Sequence, residues 1–78
     1  MDILIVVVLL FSGELEYKKF NYENNEKTVN EYIVKCDQFA NKIKKEISYF
    51  TWNYKNQGSL SRGYYLKDDT GIIIATIC

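Results

Sequence analysis

Asp68 and Asp69 are the only adjacent carboxylates in the chain. A carboxylate pair can serve acid–base catalysis or hold a divalent cation. Either role needs a further base or further ligands close by. The chain has no His, the commonest general base and metal ligand. Asp68-Asp69-Thr70-Gly71 instead has the composition of a tight turn, with Gly71 expected to supply a positive φ. Cys36 and Cys78 have neither a metal-ligand spacing nor the density of a disulfide scaffold, and are expected to be free thiols in a reducing compartment. With no Cys–His pair, a nucleophilic thiol is not supported. Gln57-Gly58-Ser59 lacks the spacing and the Lys of a phosphate-binding loop. No residue set specifies a reaction. The expectation is a non-enzyme with no cofactor and no metal.

Binding chemistry is better represented. Arg62, the only arginine, follows a polar Gly/Ser loop, Asn56 to Gly63, and is followed by Tyr64 and Tyr65. Exposed Arg and Tyr are favoured anchors at protein interfaces. Tyr49 and Lys67 join these three as candidate partner-binding residues. Tyrosines and an arginine could also stack the bases of a single strand. However, ten basic and ten acidic residues balance to zero, whereas a nucleic-acid coat needs a basic excess. Phe50, Trp52 and Tyr54 alternate along one stretch and are expected to pack under a helix. If they face away from it, they form a binding hot spot. Lys42, Lys44 and Lys45 read as a solvated helix end.

These residues must be positioned by a single domain of 78 residues. A chain this short buries only about 60% of its unfolded surface, so partners or oligomerisation would add stability. Nine apolar residues run unbroken from Ile3 to Phe11. The run is too short to cross a bilayer and too β-branched for a comfortable helix. It reads as a strand covered on both faces. A secretory leader fits less well, because Asp2 replaces the basic residues such a segment carries and Ser12-Gly13-Glu14 offers no clear cleavage pattern. Ser12-Gly13 signals a hairpin into a second strand, Glu14 to Tyr22. There Leu15 and Tyr17 are out of phase with Phe20 and Tyr22, so a bulge near Lys18–Lys19 is expected to bring all four to one face.

Thr28 and Glu31 have capping-box spacing. They open an amphipathic helix to Ile47, with Val29, Tyr32, Ile33, Cys36, Phe39, Ala40, Ile43 and Ile47 on its apolar stripe. Three more strands follow, over Ile47 to Lys55, Tyr64 to Lys67 and Ile72 to Ile77, the last two joined by the Asp68–Gly71 turn. The fold class is therefore α+β: one helix packed on one face of a four- to five-stranded, mainly antiparallel sheet, in the order β-β-α-β-β-β. One helix covers one face. The other is left apolar, and uncovered apolar patches mark interaction surfaces.

This layout resembles small phage-encoded inhibitors of host defence, such as anti-CRISPR proteins and phage antitoxins. The shared features are the apolar opening M-D-I-L-I-V-V-V, the single helix from Thr28 to Ile47 and the closing hairpin K-D-D-T-G-I-I-I. The Ile, Lys, Asn and Tyr content, with AT-rich codons, fits such a source. The resemblance is architectural and carries over no functional residue. It implies a protein-binding inhibitor that blocks a host defence enzyme or nucleoprotein by occlusion, in the cytoplasm of the host cell. The alternatives are a homodimer packed through its sheets and a single-strand nucleic-acid module. No membrane association is expected.

Overall fold

A computed structural model describes residues 2–53 and 60–78 of the chain. The elements are β1 (Asp2–Leu10), β2 (Leu15–Tyr22), α1 (Val29–Ile47), β3 (Ser48–Asn53), β4 (Leu60–Leu66) and β5 (Gly71–Ile77). The five strands form one antiparallel sheet in the order β2-β1-β5-β4-β3, so the apolar opening strand lies inside it, between β2 and β5. The α+β expectation and the element order hold. No described helix is long and apolar enough to cross a membrane.

The helix starts where the capping residues place it. Thr28 is extended, and its Oγ1 accepts from the Glu31 backbone N–H at 3.2 Å. This occupies one of the donors a helix start leaves without a partner. At the other end the Ser48 backbone N–H and hydroxyl both donate to the Lys44 carbonyl, and β3 begins at once. The Lys67 N–H donates to the Ile47 carbonyl at 3.0 Å, tying the end of β4 to the end of the helix.

Alternation along the strands makes two different sheet faces. On the helix side, Leu4, Val6, Val8, Tyr22, Leu66 and Ile73 meet Cys36, Ala40 and Ile43 in the buried core. Tyr22 stacks on Phe39 at 4.6 Å between ring centroids. The apolar stripe of α1 reaches solvent at its first turns: Val29 is 74% exposed and Ile33 48%. That part of the helix extends past the buried cluster. Here Tyr32 instead donates from its hydroxyl to Asp2 Oδ1 at 2.6 Å. That hydrogen bond is the leading reason its phenol is pushed up to about 12.

Three local expectations need correction. First, β1 and β2 pair without a register shift from Asp2↔Tyr22 to Leu9↔Leu15. No bulge forms at Lys18–Lys19. Phe20 and Tyr22 face the helix, while Leu15 and Tyr17 point to the opposite face and are 52% and 57% exposed. The bulge occurs instead on β5, where Val7 pairs with Ala75 and Val8 with Ile73, leaving Ile74 as the extra residue. Second, the left-handed residue of the Asp68–Gly71 turn is Asp69, with φ of 59°, and not Gly71. Asp tolerates this region better than most residues. Gly71 is needed for space, because a Cβ there would lie 2.6 Å from the Leu9 carbonyl oxygen and 3.0 Å from Leu10 Cα. Backbone atoms of the neighbouring strand cannot rotate away. Gly71→Ala is expected to cost about 2 kcal/mol or more through overpacking, and a midpoint unchanged in urea titration would contradict it.

Third, Cys36 and Cys78 are not free thiols. They form a disulfide with Cα atoms 6.2 Å apart, inside the usual span for such a bond. Cys36 is fully buried on α1, and Cys78 follows β5 on the helix side. The bridge pins the middle of the helix to the end of the sheet.

Candidate functional site

The five candidate residues do not share one surface. Register places Tyr64 opposite Phe50 on the helix side and Tyr65 opposite Tyr49 on the other. Tyr65 is only 4% exposed, beneath Phe11 and Tyr49 at ring distances of 6.1 and 6.3 Å. Tyr49 donates from its hydroxyl to Asp69 Oδ1 at 3.0 Å. Lys67 lies at the end of β4, its backbone held by the helix end. Arg62 is exposed, and its guanidinium carbon sits 5.5 Å from the centre of the Trp52 ring.

Two of the five candidates, Arg62 and Tyr64, meet at the aromatic stripe of β3, which does not pack under the helix. The helix ends before it reaches Phe50 and Trp52, which are 48% and 59% exposed. Tyr54, the third member of the expected stripe, lies outside the described residues, as do Lys55 of the expected strand and residues 56–59 of the expected loop. The loop is also shorter than expected, since β4 already begins at Leu60. Phe50 meets Trp52 edge-on at 5.7 Å and 88°, and Tyr64 at 5.3 Å and 64°. Lys44 Nζ lies 5.1 Å above the Tyr64 ring. Each cation over a ring contributes about 0.5–1 kcal/mol at exposed sites, and each ring pair about as much. The four contacts together hold the exposed rings in place.

Between this cluster and the last helical turns lies a groove of about 510 Å³, lined by Asn41, Lys44, Lys45, Ser48, Phe50 and Tyr64 among others. Among the described residues its lining includes two lysines and no carboxylate. The whole chain is neutral, so the basic character here is local.

The paired carboxylates are engaged in the turn. Asp68 Oδ1 accepts from the Thr70 hydroxyl at 2.6 Å and from the Thr70 N–H at 3.1 Å. The Thr70 hydroxyl is the main reason the Asp68 carboxyl is held below its ordinary value. Asp69 accepts from Tyr49. No group of three or more potential metal ligands occurs among the described residues. The exposure of Phe50 and Trp52 escaped the sequence. Alternation correctly put them on the helix side, but nothing in the stripe showed where along β3 the helix stops.

No family model, curated protein or solved structure matches this chain.

Proposed function

We propose that the chain is a non-enzymatic protein-binding module that occludes a surface of its partner. The observation behind this is Trp52, 59% exposed yet held between Arg62 and Phe50 beside a basic groove. Large exposed rings usually cost solubility. Rings already ordered, with an arginine stacked on one of them, have the composition of interface hot spots and lose little entropy on binding. The partner is defined by its chemistry: apolar side chains flanked by carboxylates. A disulfide persists where conditions are oxidising, so this proposal places the protein there and not in a reducing cytoplasm.

Stacked nucleobases are a second use for such rings. The edge-on angles favour protein. Single-strand binders present ring faces in succession, whereas Phe50 is steeply inclined to both Trp52 and Tyr64 and Arg62 already covers a face of Trp52.

The test is affinity capture with the wild type, Trp52→Ala and Arg62→Ala as bait, followed by titration of whatever protein is retained. Each substitution is expected to weaken binding about 30-fold or more, as hot-spot residues do at 2 kcal/mol or above. Circular dichroism should be unchanged, because both side chains are exposed. Equal retention by all three baits would remove the patch from the account. Tyr65→Ala is unsuitable as a probe, since that residue is buried.

A further inference from the structure

We infer that the sheet face opposite α1 is covered by the same face of a second copy of this chain. This surface is separate from the ring cluster of β3. The register makes it continuous: Leu9 lies between Leu15 on β2 and Ile72 on β5, Val7 between Tyr17 and Ala75, and Ile5 between Lys19 and Ile77. Ile3, Leu9, Leu15, Tyr17 and Ile77 on this face are 38–57% exposed. Lys19 is the single charged residue among these positions of β1, β2 and β5, and it sits on the outer strand, where its stem can lie flat and its ammonium reach water.

Three arguments select a copy of the chain as the occupant. The first is shape. Two sheets of the same hand and twist pack face to face at about −30° with their side chains interleaved, and a second copy supplies that twist by construction. The second is area. Five strands about 4.8 Å apart and about seven residues long outline roughly 500 Å² in plan, so two such faces bury about 1,000 Å² or more. That reaches the threshold of about 1,000 Å² for a specific interface. The third is the weakness of the main alternative for self-association. The free edge strand β2 carries Lys18 and Lys19 at its middle, and lysines at a strand edge oppose edge-to-edge pairing. Face-to-face packing leaves that edge in water.

Sedimentation equilibrium over about a hundredfold range of concentration tests this. The wild type is expected at twice its chain mass of 9.2 kDa at the upper end. Leu15→Glu and Tyr17→Glu, both at exposed positions, are expected to sediment as monomers with unchanged circular dichroism. Trp52→Ala should remain dimeric, which separates this face from the ring cluster. A wild type that is monomeric throughout overturns the inference and assigns the face to another occupant. Dimers that survive both glutamate substitutions overturn it as well, because the contact then lies elsewhere.

Discussion

Replacing Cys78 by Ser is expected to lower the stability of the fold by about 4 kcal/mol. Cys36 and Cys78 are 42 residues apart in sequence, so their bond removes a long loop from the unfolded ensemble. On the chain-entropy account, a loop of that length corresponds to about 4 kcal/mol at 25 °C. Small domains have only about 5–15 kcal/mol in total, so most of the reserve would go. At about 4–8 °C per kcal/mol, the melting temperature should fall by roughly 15–30 °C. Cys78 is the better position to change because it is exposed, whereas a hydroxyl at fully buried Cys36 would add a desolvation cost of its own. Melts with and without reductant complete the test. Reductant should bring the wild type down to the variant and leave the variant where it is. A wild-type midpoint indifferent to reductant would show that the bridge carries no stability.

That bridge shows why part of the molecule could not be read from its residues. A pair of cysteines far apart in sequence becomes a disulfide only when a fold brings their Cα atoms together. Here this depends on Cys36 facing the sheet and on β5 running antiparallel to β1. Elements fixed by local chemistry were legible: the Thr28 cap, the helix to Ile47 and the Ser12-Gly13 hairpin, where Gly13 takes a φ of 96°. Phase was legible only where polar residues mark it. In β5 the run Ile72-Ile73-Ile74 has no polar residue to set the alternation, so the bulge at Ile74 left no trace in the sequence. In β2 the change of phase was visible, but a bulge is one of two solutions. The chain adopts the other, a regular strand with apolar residues on both faces. The same holds at the ring cluster. Alternation told which side Phe50 and Trp52 face, but not that α1 ends short of them. The correction matters for function. Arg62 and Tyr64 belong to the ring cluster, and Tyr65 lies in the interior.

The two-faced character of the sheet gives the second large effect. Leu4→Ala is expected to cost about 2–5 kcal/mol, while Leu15→Ala should cost the monomer about 1 kcal/mol or less. Leu4 is fully buried in the cluster formed with α1, and truncating it leaves a cavity that the packed helix cannot close. Leu15 is half exposed on the opposite face, so little is lost when its side chain shrinks. Urea titration of both variants, at concentrations low enough to keep the chain monomeric, measures the contrast directly. Equal costs would mean that the two faces of the sheet are covered alike and that α1 is not its principal cover. The predicted inequality has a simple origin. From Ile3 to Leu10 the residues are nearly uniform in hydrophobicity, so their unequal burial comes from what lies above and below the sheet. Above β1 lies α1, anchored by its Thr28 cap, by Ser48 and by the bridge to Cys78. Below it the described residues place side chains from neighbouring strands, and Ile3 and Leu9 remain exposed.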